Sequence, residues 1–386
     1  MSDIVSWAES MVDPLRGRAL EAERLRQLPD ETIDEAAAAG FFRALMPTEL
    51  GGDQAGLDAV ANATRTLAHG CVSSAWTLSF ITLHNWLIAR GSSDLHQAVF
   101  GDRGEARIPC PLAPGGSAKP VDGGYVISGR WEWATAVQHA DWVMVHAFVD
   151  QPDVIETRFA VARIEEVTVD DVWHTAGMRG TGSNTVVLDE VFVPTERTFS
   201  GEEFRSADPP GAALSADPML RHPVTPVLCL MAAAPALGGA EAAVDLLREQ
   251  GKNRVLAYSL GDRQAEQPAA QIRLSTALAT VRAARLVWQE AIDQLADRVA
   301  AGDVDDRVWR GSIRLAAAHT VRLSIEAVGT VLEGAGASVH FEDSPLQRIS
   351  RDLHTLRGHV VFDWDRAAQL AGKLELGLEP GPVDML

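Results

Sequence analysis

Cysteine is scarce in this chain of 386 residues: only Cys71, Cys110 and Cys229 occur, far apart and without metal-site spacing. That excludes a disulfide framework and predicts a reducing, cytoplasmic setting. Positive charge is also short. There are 34 Lys and Arg against 53 Asp and Glu, a net charge of -19. A protein that coats nucleic acid or an anionic membrane is therefore not expected, because such binding is electrostatic. No uncharged apolar run reaches the roughly 20 residues that span a bilayer. The opening MSDIVSWAES lacks the basic-then-apolar order of a secretion signal. There is no nicotinamide-binding glycine fingerprint, no internal repeat and no low-complexity tract. With 46% hydrophobic residues, what remains is a soluble globular protein long enough for two or three domains.

Up to about residue 104 the pattern is helical. LPDETIDEAAAAGFF puts Pro29 and Asp30 at a helix start, with Ile33, Ala37 and Phe41 at helical spacing and Gly40 near the end. PTELGG, Pro47 to Gly52, reads as a turn. CVSSAWTLSFITLHNWLIARG, Cys71 to Gly91, is apolar all round, so it belongs in the middle of a helical layer. From 105 to 215 the texture is β. DGGYVISGRWEW sets Tyr125, Ile127, Trp131 and Trp133 in alternation, and DWVMVHAFV, RFAVARI and TVVLDEVFV read as further strands. Pro109, Pro111, Pro114, Pro120, Pro152 and Pro194 punctuate this region, as in a small barrel or sandwich. From 216 onward, long Ala-rich stretches at 236–254, 269–300, 306–336 and 347–378 predict an antiparallel four-helix bundle. The expected fold class is α+β, with domains at 1–104, 105–215 and 216–386.

One stretch asks for a ligand. WHTAGMRGTGSNTVVLDEVFVP, Trp173 to Pro194, runs from glycines and hydroxyls straight into a strand. Phosphate loops usually run from strand to helix, so neither dinucleotide nor nucleotide signatures apply. Spacing alone also allows a plain glycine-rich turn beside a core strand.

The order of helical layer, β domain and bundle, together with RQLPDETIDEAAAAGFFRALMPTELGG, GMRGTGSNTVVLDEVFVP and QRISRDLHTLRGH, resembles the acyl-CoA dehydrogenase superfamily over essentially the whole chain. The resemblance implies a flavin between the β domain and the bundle, contacted by Thr181 and Ser183 of the glycine loop, and by Trp133 and Trp173. Arg254 resembles a region that reaches flavin phosphates across a subunit interface. Dehydrogenases of the superfamily commonly carry a glutamate base after the C-terminal Arg-Asp pair. Here RDLHTLRGHVVFDWD has none and offers His359 instead, after Arg351 and Asp352. In this it resembles the two-component flavin monooxygenases. His84, with Trp86 nearby, stands at their substrate side. SGRWEWATAVQHADW is similar to their Trp-x-Phe/Trp-x-Ser-Gly stretch, with Thr135 at the serine that meets flavin N5 and Ala136 replacing the glycine.

The resemblance implies that reduced FAD or FMN from a separate NAD(P)H:flavin reductase reacts with O2, and that a peroxide on flavin C4a hydroxylates a phenol, indole or polycyclic substrate. Thr135 would guard that adduct, while Trp76, Trp86, Trp131 and Trp133 would exclude water. His84 and His359 would act as acid or base, an effect typically worth about 10²–10⁴-fold. A helical reading sets Arg348, Asp352, Thr355 and His359 on one face, with Asp352 placed to orient His359. A homotetramer built through the bundles is implied; a metal is not. Three alternatives stay open: amine N-oxygenation of an amino sugar, an FAD-dependent acyl-CoA dehydrogenase, and a scaffold without flavin. Singly, His84 also reads as a satisfied core histidine, His359 as a half-exposed helix residue and Arg254 as a solvated one.

Overall fold

In the computed structural model of the chain, residues 4–386 are described apart from 102, 152–155, 258, 382, 383 and 385. Residues 1–3 and the predicted breaker Pro152 thus lie outside the described residues. Five helices come first: α1 (Ile4–Leu25), α2 (Asp30–Ala38), α3 (Leu57–Leu67), α4 (Val72–Ala89) and α5 (Ser93–Val99). Every residue of α4 is buried except Phe80. A helix so placed must satisfy its polar groups internally. Thr77 bonds back to the Ser73 carbonyl, Ser79 to that of Trp76, and Thr82 to those of Leu78 and Phe41. Asn85 clamps Ala106 twice, donating to its carbonyl at 2.7 Å and accepting its amide at 2.8 Å. The chain leaving the helical layer is thereby held along α4.

The β region supplies β1 (Ser117–Val121), β2 (Gly124–Ala134), β3 (Trp142–Val149), β4 (Thr157–Arg163), β5 (Thr168–Asp170), β6 (Asn184–Pro194) and β7 (Thr198–Ser200). They form one sheet in the order β5-β6-β2-β1-β3-β4-β7. Neighbours are antiparallel except β1 and β3. Alternating residues such as Ile127, Val143, Val145, Val186 and Leu188 close a core of their own on one face. The sheet curls like a barrel, but its hydrogen bonding ends at β5 and β7.

A short helix, α6 (Gly201–Arg205), leads to the C-terminal layer of α7 (Val224–Asn253), α8 (Pro268–Ala301), α9 (Arg307–Ala335), α10 (Pro345–Leu356) and α11 (Trp364–Glu375). Two expectations need correction. Helix α7 begins at Val224 rather than 236, because VTPVLCLMAAAP is helical despite Pro226 and Pro235. The stretch 347–378 is two helices, not one: α10 stops at Leu356, and Asp363 caps α11 by accepting the Arg366 amide. By length and composition α7 and α9 could cross a membrane, but the apolar stretch of α7 is almost wholly buried in the protein.

Helix α7 crosses α3 closely at Gly238, where an added Cβ would stand 2.0 Å from the Arg65 carbonyl oxygen. Gly238→Ala is therefore expected to destabilise the fold by about 1–3 kcal/mol through overpacking. Urea or thermal unfolding of the variant checks this; an unchanged midpoint contradicts it.

Candidate active site

One face of α4 is aromatic. Trp76, Phe80 and His84 recur every fourth residue and so stack along the helix. Trp76 and Phe80 are parallel at 4.2 Å between centroids, and Phe80 meets His84 edge-on at 5.7 Å. Phe80, the residue of α4 that escapes full burial, lies between them. His84 is 1% exposed, and its Nδ1 lies 2.6 Å from the Ile108 carbonyl oxygen. A carbonyl only accepts, so Nδ1 carries the proton and Nε2 presents a lone pair. That buried Nε2 has no hydrogen-bond partner. Burial pushes the histidine down to about 4, so it is neutral at pH 7.

Two loops of the β region meet this face. At the end of β2 the pairing with β6 slips between Trp131 and Ala134, and Trp133 and Ala136 take left-handed backbone angles, φ 65 and 66. Such a bulge re-aims side chains. A position in that conformation favours glycine, which accounts for the glycine that Ala136 replaces. The glycine loop forms a tight turn, Arg179–Thr181, entered at Met178 with φ 54. Its glycines serve close packing: a Cβ on Gly177 would stand 2.2 Å from the Arg351 carbonyl, and one on Gly182 would stand 3.0 Å from that of Arg26. The loops are tied together by the Ala136 amide, which donates to the Thr181 carbonyl.

Their hydroxyls form a row whose direction can be worked out. Thr181 donates to the Met178 carbonyl at 2.9 Å, so its oxygen accepts from Ser183 at 2.7 Å. Ser183 has then spent its proton and accepts from Thr135 at 2.9 Å. The Trp76 indole N–H points at the Thr135 oxygen from 3.5 Å. Every hydroxyl proton is committed inward, and Thr135 is left offering an acceptor. The Trp173 indole donates to the Met178 carbonyl at 2.9 Å, at the far end of the same row.

His359 completes the cluster, but not from a shared helix face. Because α10 ends at Leu356, His359 caps the following turn, where its Nδ1 accepts the Val361 amide at 3.4 Å. Nε2 therefore carries the proton. The ring stands edge-on to Trp76 at 5.5 Å, and burial pushes it down to about 4. Asp352 does not orient it. That carboxylate accepts from the Met178 amide and the Ser73 hydroxyl instead.

The structure thus brings together His84, Thr135, Trp173, Thr181, Ser183 and His359, through Trp76 and Phe80. Sequence reasoning missed Phe80, although its four-residue spacing from Trp76 and His84 was a legible signal. Trp86 does not join them. It is fully buried, with its indole N–H on the Met219 carbonyl. Trp131 lies in the sheet core, bonded to the His146 carbonyl. Trp133 neighbours the cluster but is 60% exposed. Arg254 sits in the C-terminal layer, donating to the Ala335 carbonyl. A cavity of about 520 Å³ lined by Glu202, Glu203, Asp208 and Arg221 includes none of these residues. Among the described residues no cluster of His, Cys, Asp and Glu is arranged to hold a metal.

Comparison with known proteins gives this geometry a context. Family models of the acyl-CoA dehydrogenase N-terminal and C-terminal domains match residues 4–100 and 230–364. The flavin-dependent monooxygenase oxygenase subunit HsaA of Rhodococcus jostii is 34% identical over 96% of this chain and 97% of its own. The chain belongs to the acyl-CoA dehydrogenase superfamily, in its branch of flavin-dependent monooxygenases. The oxygenase component of p-hydroxyphenylacetate 3-hydroxylase from Acinetobacter baumannii is 28% identical over 97% of this chain and 89% of that one. The structure of XiaF from Streptomyces sp. in complex with FADH2 and glycerol superposes with a TM-score of 0.93, at 27% identity, over 99% of this chain and 97% of that one.

As a member of this branch the protein is an enzyme, the oxygenase component of a flavin-dependent system. Its residues fit a reduced flavin: a row of buried hydroxyls ending in an acceptor, left-handed turns that open the backbone, and an unpaired imidazole nitrogen across an aromatic wall.

The lowered histidines have a consequence for stability. A His whose folded value lies below 6.5 contributes stability that is present above 6.5 and lost as pH falls towards its folded value near 4. For His84 the loss is on the order of 3 kcal/mol. His84→Gln, which does not titrate, is expected to flatten the fall of the urea midpoint between pH 7 and 4. An unchanged slope contradicts the assignment.

Proposed function

We propose that the protein hydroxylates a phenolic or similarly electron-rich aromatic compound with O2, using reduced FAD or FMN delivered by a separate NAD(P)H:flavin reductase. The observation that carries this reading is His84. It is buried and neutral, its Nδ1 is committed to Ile108, and its Nε2 lone pair lacks a donor. A phenol O–H or indole N–H supplies that donor while the ring lies on Trp76 and Phe80. A hydrogen bond accepted from that group draws electron density onto the ring and raises its nucleophilicity. When bound, reduced flavin would supply the two electrons with which O2 gives one oxygen atom to the ring and releases the other as water. Thr135 would help hold the flavin as an acceptor, which the inward direction of the hydroxyl row leaves it free to be. His359, edge-on to Trp76, offers a neutral N–H donor. The acyl-CoA dehydrogenase alternative lacks its base: of the three carboxylates in the C-terminal stretch, Asp352 has both oxygens engaged, and Asp363 and Asp365 are exposed.

The same reading places two outlying features. Helix α8 exposes Ile272, Leu278 and Leu286, apolar side chains suited to the interface of a homotetramer. Arg254, flanked by exposed Val255 and Leu260, is assigned to the flavin phosphates of a neighbouring subunit. The cytoplasm is the assigned compartment, in keeping with three buried, unpaired cysteines.

The test is turnover with NADH, a flavin reductase, FMN or FAD, and a panel of phenols and indoles under 18O2. A hydroxylated product carrying one labelled atom is expected; bound flavin reduced by an acyl-CoA, with no labelled product, overturns the reading. His84→Gln should lower product formation by about 10²–10⁴-fold. Thr135→Ala should keep NADH consumption but divert it to H2O2, read as peroxide released per NADH. Wild-type coupling in Thr135→Ala removes that residue from the mechanism.

A further inference from the structure

Asp352 lies where three segments of the site meet. One of its oxygens accepts the Met178 amide at 2.5 Å, and the other accepts the Ser73 hydroxyl at 3.3 Å. Ser73 belongs to the first turn of α4, about one turn before Trp76, and a helix N-terminus favours negative charge. Met178 opens the turn that carries Thr181 and Ser183, and its carbonyl receives both Thr181 and Trp173. Asp352 itself lies in the last turns of α10, just before His359.

The junction is built to a single geometry. Met178 is held with φ 54, a costly angle for a side chain larger than glycine. Gly177 touches the backbone of Arg351 and Asp352 so closely that a Cβ would stand 2.2 Å from the Arg351 carbonyl oxygen. Arg351 bonds the Ala176 carbonyl and pairs with Glu23 of α1 at 2.5 Å, pinning the loop from its other end. Asp352 is 3% exposed. Burial raises it to about 6, against the Met178 amide and the charges of Arg348 and Arg351, with Glu23 and Cys71 also facing it.

We propose that Asp352 is a positioning residue: by holding the Met178 amide and the Ser73 hydroxyl together, its carboxyl group fixes the hydroxyl row Thr181–Ser183–Thr135 against the aromatic face of α4. Its importance for turnover rests on the function proposed above, but the positioning itself does not.

Hydrogen exchange by mass spectrometry on the flavin-free protein tests it directly. In Asp352→Ala the amides of 177–183 are expected to exchange at least about tenfold faster, as loss of a charge-assisted bond predicts. Strand β3 and helix α7 should keep wild-type protection. Asp352→Asn retains an acceptor for the Met178 amide and should restore the loop to within about threefold of wild type. In coupled turnover the alanine variant should also release more H2O2 per NADH, and the asparagine variant should not. Wild-type loop protection in Asp352→Ala overturns the proposal, as does loss of protection throughout the chain that Asp352→Asn fails to rescue. Because the exchange readout needs no flavin, its failure is separable from failure of the substrate reading.

Discussion

A helix buried on all sides has no water to fall back on, and the site grows from that constraint on α4. Its hydroxyls turn back on the helix, Asn85 takes both groups of Ala106, and His84 takes the Ile108 carbonyl. These bonds hold the segment leaving the helical layer and fix where the sheet begins. Against that background, one unpaired nitrogen on His84 stands out. A buried polar atom without a partner costs stability unless a ligand supplies the partner.

The chemistry is arranged without bare charge. Both histidines are neutral near pH 7, with opposite tautomers: His84 presents a lone pair and His359 an N–H. The hydroxyl row has one direction because a carbonyl terminates it. Neutral dipoles fixed in a dry pocket need little reorganisation and avoid the desolvation cost of buried ions. The arrangement depends instead on backbone geometry, and Trp133, Ala136 and Met178 carry that cost as left-handed angles.

Much of this was legible in the sequence. The apolar run of α4, the alternation through Tyr125 and Ile127, and the glycine loop entering a strand each reflect a local pattern with a local cause. What stayed hidden was tertiary. Periodicity carried His359 onto the helix face of Asp352, although Gly358, directly after the cap Arg357, was a legible stop signal. Trp86 was grouped with His84 by proximity in sequence, yet two residues along a helix are about 200° apart. Pro235 masked the start of α7, whose burial overrides its helix-breaking tendency, while Pro226 lies in the first turn, where proline is tolerated. The role of Asp352 could not be read at all, since its partners come from two other parts of the chain.

That last point bears on synthesis. Ser73 and Asp352 are 279 residues apart, and Met178 lies between them. A growing chain can form α4 and the sheet, but the clasp on the glycine loop waits for the final helices. Contacts of such long range close late, after the costly loop entropy has been met elsewhere. Fragments released early from the ribosome would then expose the aromatic stripe of Trp76 and Phe80 with the glycine loop unclasped.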